Sequence, residues 1–121
     1  MAHYVDSFVV PVPKKNTAAY QKMARKFGKI CIEHGALAYT EALADDVKPG
    51  KRTSFPQAVK MKADETVVVA WVTYKSRAHR DRVVAKVMKD TRIIGMENTA
   101  MPFDGKRMFW GGFKTIVALA A

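Results

Sequence analysis

The stretch Thr66-Val67-Val68-Val69-Ala70-Trp71-Val72-Thr73-Tyr74 decides the fold class. Its β-branched and aromatic residues suit a pleated backbone, and apolar groups occupy both alternating sets of positions. A strand that is apolar on both sides belongs in the middle of a sheet. The rest of the chain must therefore supply neighbouring strands and something to cover them.

Upstream, Tyr4–Val12 reads as a second such strand, closed by Pro11 and Pro13. Tyr4, Asp6, Phe8 and Val10 share one face, and Val5, Ser7 and Val9 the other. Asn16 is placed to cap a helix in which Tyr20, Met23, Ala24, Phe27, Ile30, Cys31 and His34 recur at three- and four-residue spacing. Lys22, Arg25, Lys26 and Lys29 fall largely outside that stripe. Gly35 suits the helix end, and Gly28 inside it, costing about 1 kcal/mol relative to alanine, implies close packing.

Ala36–Ala44 reads as a strand with Leu37, Tyr39, Glu41 and Leu43 on one face. Residues 45–63 are irregular, with a turn at Pro49-Gly50 and a short helix or an extended edge over Phe55–Met61. After the central strand, Ser76 can cap a helix running to Asp90, with Val83, Val84, Val87 and Met88 as its stripe. Thr91–Met101 reads as irregular or a short helical turn. Asp104-Gly105 marks a turn, and Arg107–Leu119 a last strand broken at Gly111-Gly112.

The order is β-α-β-β-α-β, an α+β, ferredoxin-like arrangement of four antiparallel strands with two helices on one face. The 121 residues fit one such domain, 1–121. Two helices cover only one face, yet both faces are apolar, so a second copy is expected on the other: a homodimer, with a cavity between the sheets or between sheet and helices.

Bulk properties narrow the function. A hydrophobic fraction of 49% supports a packed core rather than a disordered chain. One cysteine, Cys31, excludes an intrachain disulfide and sits on an apolar stripe as a core residue does. No run is long enough to span a membrane and no leader is read at the start, which points to the cytoplasm. Lys and Arg number 21 against 11 acids, a formal charge of +10 that is either a solvated surface or an attraction for anionic partners. No zinc-ligand spacing, phosphate-binding loop, dinucleotide fingerprint or nucleophile elbow occurs, so no metal and no cofactor is implied.

Candidate chemistry rests on a few side chains. Asp6 lies mid-strand among apolar groups and needs a partner; Arg107 on the last strand is one available to it, as a structural ion pair or a ligand-polarising one. Glu41 alternates with Tyr39 and Leu43 and, if buried, is a candidate base. His79 falls in the first turn of the second long helix, where a neutral imidazole is favoured. Phe8, Tyr39, Trp71 and Trp110 are candidate pocket walls, with core packing as the plainer alternative. These residues suggest binding of, or cofactor-independent proton transfer on, a small organic and in one version anionic ligand. The competing assignment is a basic nucleic-acid-binding protein in which Arg107-Met108-Phe109-Trp110 serves single strands. A dimer formed through the same sheet face would bury those aromatics.

Several segments together resemble the YbaA-like family of uncharacterised bacterial proteins: Tyr4–Pro13, Asp45-Asp46-Val47, Thr53–Lys60, Asp64–Val68, Ser76–Asp81 and Met101–Met108. They fall in the same order along nearly the whole chain. The resemblance implies a fold in the dimeric α/β-barrel superfamily, which holds cofactor-free monooxygenases, haem-degrading enzymes, small isomerases and ligand-sensing domains. It implies no particular activity. Ser7 stands where the family is expected to carry glycine, and Val84 where an asparagine is usual.

Overall fold

The computed structural model describes residues 3–97 and 99–121. Strand β1 spans Tyr4–Pro13, β2 Ala38–Leu43, β3 Glu65–Tyr74 and β4 Phe109–Lys114. Helix α1 spans Thr17–Glu33, α2 Phe55–Ala58, α3 Arg77–Lys89 and α4 Thr91–Glu97. The strands form one antiparallel sheet in the order β2-β3-β1-β4. The two strands that are apolar on both faces are its centre, as expected from their composition. Of the segment read as irregular or a helical turn, Thr91–Glu97 is helix, while Asn98 lies outside the described residues.

The register sorts every strand residue to one of two faces. Asp6 pairs with Val72 and Gly112, and Phe8 with Ala70 and Trp110, while Tyr39 and Glu41 continue these rows on β2. The long helices pack on that side. Ile30, Cys31, Val72, Tyr74, Val83 and Val87 make one part of the core, and Val10, Val12, Tyr20, Ala24 and Val68 the other.

The opposite face carries Val5, Ser7, Val9, Val69, Trp71, Thr73, Phe109 and Phe113, paired across the sheet without a charged side chain among them. The segment after α2 and the Arg107 side chain lie against one end of it, where Pro11 and Val67 are buried. The rest is open: Trp71 is 39% and Phe113 59% exposed.

Local signals explain most element ends. Ser76 Oγ accepts from His79 N and caps α3. Gly35 follows α1 with φ of +114°, a conformation that disfavours side chains. Asn16 precedes α1 but makes no capping bond; its amide instead donates to Pro102 O at 3.2 Å, tying the helix start to the last loop.

The last strand is shorter than the sequence pattern suggests. It begins at Phe109 rather than Arg107 and stops at Lys114, opposite the start of its partner β1 at Tyr4; among the described residues Thr115 N to His3 O is the last backbone bond between them. Beyond it Ile116, Val117 and Leu119 are exposed.

Candidate functional site

A cavity of ≈ 770 Å³ lies between α1 and the edge strand β2. Its size falls within the range of small-molecule sites. Ala24, Gly28 and Ile32 from the helix and Leu43 and Val68 from the sheet give it an apolar wall. The close approach of helix and strand depends on Gly28. A Cβ at that position would stand 2.5 Å from Tyr39 Cδ1, so the bare glycine is what lets the Tyr39 ring lie against the helix.

Two carboxylates line the cavity: Glu33, exposed and bridged to Arg92, and Glu41, half-buried beside the apolar wall. Tyr20 Oη donates to Glu41 Oε1, and Tyr39 Oη donates to Glu41 Oε2. Burial, reinforced by the Glu41 charge, pushes both phenols well above their ordinary range, so they stay protonated donors. Alternation puts Tyr39 and Glu41 on one face of β2, the α1 stripe brings Tyr20 over them, and all three line the cavity. Arg25 and Lys29 stand exposed at its rim.

The remaining residues singled out by the sequence are placed elsewhere. Asp6 is 3% exposed, and its partner is Arg80, not Arg107: Arg80 Nη1 donates to Asp6 Oδ1 at 2.5 Å. The register explains the correction. Asp6 faces Gly112 on β4, five residues beyond Arg107, whereas Arg80 on the first turn of α3 reaches down onto that row. Burial raises the Asp6 pKa, with the Arg80 guanidinium opposing it. Arg80 also holds Asp81 and stacks over the Tyr4 ring at 5.0 Å.

Arg107 instead binds Glu65 in a two-pronged bridge of 2.7 and 2.6 Å, with Asp104 on its Nε. It holds the buried Glu65 carboxyl below its ordinary value. His79 Nδ1 accepts from Lys75 N at 3.0 Å, and its ring stands edge-on to Tyr74. Phe8 and Trp110 stack on the helix side at 5.9 Å, away from the cavity, while Trp71 points to the open face. Cys31 is buried and its thiol is pushed up to about 12 by that burial, as a core cysteine's would be.

Of the eight residues, the structure thus brings Tyr39 and Glu41 together in one cavity and leaves the other six outside it. Tyr20 and Arg80 were the missing partners. A tyrosine on an otherwise apolar helical stripe carries a hydroxyl that needs a partner, and that signal was available for Tyr20. Nothing in the sequence sets Arg80 apart from the neighbouring cations Arg77 and Arg82, and only helix-on-sheet packing reveals its role.

Comparison with known proteins agrees with the resemblance. Residues 3–105 match the family model described as "Protein of unknown function (DUF1428)". The "Uncharacterized protein YbaA" of Escherichia coli (strain K12) is 46% identical over 114 residues, covering 94% of this chain and 97% of that one, and the Shigella flexneri protein of the same description matches equally. Among solved structures, the "Putative antibiotic biosynthesis monooxygenase from Nitrosomonas europaea" superposes with a TM-score of 0.58 at 14% identity, over 96% of this chain and 93% of that one. At that identity the likeness speaks for the ferredoxin-like α+β fold alone.

Proposed function

Because the chain belongs to the family described as Protein of unknown function (DUF1428), with a shared fold and no inherited activity, we propose from its own geometry that it binds a small organic molecule in the α1–β2 cavity. The observation that carries this reading is the Glu41 carboxylate, set between the Tyr20 and Tyr39 hydroxyls and opening on an apolar wall. If the bound molecule reacts, Glu41 is the group positioned to take its proton, without any cofactor. Asp6, His79 and Arg107 belong to structural contacts and have no part in this site.

Two further features complete the proposal. A second copy of the chain covers the open sheet face. Copies carrying +10 each repel, and the uncharged surface of Val5, Val9, Trp71 and Phe113 is where they can meet. The protein works in a reducing cytoplasm, in keeping with its single buried Cys31. No helix among the described residues is long and apolar enough to cross a membrane.

Native mass spectrometry on gently purified protein, paired with a stability screen against small organic molecules, tests the reading. A retained small mass, or a molecule that raises the melting temperature, supports it when Gln21→Trp, which fills the exposed mouth of the cavity, abolishes the effect. An effect that survives Gln21→Trp overturns it.

A further inference from the structure

Two parts of the molecule lack a neighbour among the described residues, and each offers what the other needs. The first is the outer edge of β2. Among the described strands it pairs with β3 alone. Ala44 N donates to Val67 O, so by alternation the N–H and C=O groups of Tyr39, Glu41 and Leu43 point out of the sheet. An edge of that kind readily takes another strand. The cavity behind it is open on the same side: every residue on its lining belongs to α1, β2 or β3, and β2 is the last strand in that direction.

The second is the segment 115–121 that follows β4. Its residues, Thr115-Ile116-Val117-Ala118-Leu119-Ala120-Ala121, carry no charged side chain in a chain of formal charge +10. Ile116 is 91% and Leu119 93% exposed, so both forgo the stabilisation that burial gives. The β-branched Thr115, Ile116 and Val117 suit an extended backbone. Extended from β4, the segment continues the alternation of that strand. Val117 and Leu119 fall in the open-face row of Phe109 and Phe113, and Ile116 and Ala118 in the helix-side row of Trp110 and Gly112.

Its own β2 is a poor match. The segment leaves from the opposite edge of the sheet, three strand positions or about 14 Å away. Crossing that distance would use about four residues and leave too few to lie along β2. A second copy removes the difficulty. The pairings make β4 antiparallel to β2. When two sheets meet by their open faces about a two-fold axis parallel to the strands, the β4 edge of each comes beside the β2 edge of the other.

Resting on the second copy proposed above, we infer that the segment 115–121 of each chain adds as a strand to the β2 edge of the other and walls its α1–β2 cavity with Ile116 and Ala118. The exchange is reciprocal, so each cavity is built by two chains.

Ile116→Cys gives the chain one accessible thiol, Cys31 being buried, and a benzophenone maleimide attached to it captures whatever lies beside residue 116. Isotope-labelled and unlabelled chains, mixed until partners exchange, are irradiated and digested. The expected products pair a labelled with an unlabelled peptide and place residue 116 on α1 or β2 of the other chain. Amide exchange gives a second readout. Ile116→Pro and Val117→Pro each delete one N–H, and since alternate groups point to the neighbouring strand, one of the two removes a ladder donor. That variant should speed exchange of the Tyr39, Glu41 and Leu43 amides at least about tenfold while the β3 amides keep their rates. Cross-links confined to one chain or falling elsewhere on the partner, or β2 amides unmoved by both proline variants, overturn the inference and leave the second copy on the open face. A monomer mass in light scattering removes the second copy and the inference together, and the cavity as a binding site is decided separately by Gln21→Trp.

Discussion

Replacing Gly28 by alanine should destabilise the protein, against the ordinary effect of that substitution. In a helix interior, alanine is worth about 1 kcal/mol over glycine. Here the new Cβ would stand 2.5, 2.8 and 3.0 Å from Cδ1, Cε1 and Cγ of Tyr39. Carbons in good contact sit about 3.5–4.0 Å apart, so the ring must retreat by about 1 Å. Overpacking of that kind costs about 1–3 kcal/mol. A retreating ring also gives up its bond to Glu41, and a hydrogen bond to a charged group contributes about 1.5–3 kcal/mol. Set against the helical gain, the net loss is about 1.5–5 kcal/mol, or about 5–20 °C in melting temperature for a chain of this size. Urea unfolding followed through the fluorescence of Trp71 and Trp110 measures it. Tyr39→Ala provides the internal control: without the ring, Gly28→Ala should recover its ordinary sign and stabilise by about 1 kcal/mol. A neutral or stabilising Gly28→Ala in the natural background, or an equal loss in both, would refute the account of how helix and strand approach.

Acid should weaken the Glu65–Arg107 bridge. Arg107 holds the folded Glu65 pKa below its ordinary 4.5, so the folded state binds that proton less tightly than the unfolded chain does. The stabilisation is therefore present above about pH 4.5 and lost as pH falls through the lowered value. Glu65→Gln should flatten this acid limb in melting temperature measured from pH 6 to pH 3 while lowering stability at neutral pH; an unchanged limb would show that the bridge does not carry it. For the open face, light scattering at micromolar concentration should give a dimer mass, and Trp71→Glu or Phe113→Glu a monomer. A monomer mass for the unaltered chain would remove the second copy from the proposal.

What the sequence made legible follows from periodicity. Apolar residues on both faces identified β1 and β3 as central, and three-to-four-residue spacing identified both long helices, although of the expected Val83, Val84, Val87 and Met88 stripe only Val83 and Val87 are buried and Met88 is half exposed. Ser76 and Gly35 announced helix ends through local chemistry, and Gly28 announced close packing through its cost. Tyr39 and Glu41 were recognisable as neighbours because alternation alone puts them on one face. The partner of Asp6 was not recognisable. It depends on the register of β4 against β1, where Gly112 rather than Arg107 comes opposite, and on a helix laid over the sheet so that Arg80 reaches it. The end of β4 was misjudged for a similar reason. Residues 115–119 have strand composition, but pairing is a property of two segments, and their neighbour β1 begins at Tyr4, opposite Lys114.

The strand order also sets a schedule for synthesis. β1 leaves the ribosome well before both of its neighbours, β3 and β4, which lie more than fifty residues further along the chain. At about 5–20 residues per second, several seconds pass between the emergence of Tyr4 and that of Tyr74, its cross-strand mate. Throughout that interval a nascent segment rich in valine and phenylalanine has no edge to join. The basic α1 that follows it, carrying Lys22, Arg25, Lys26 and Lys29, emerges in the same interval and gives the unfinished chain a charged, soluble companion to its stickiest stretch.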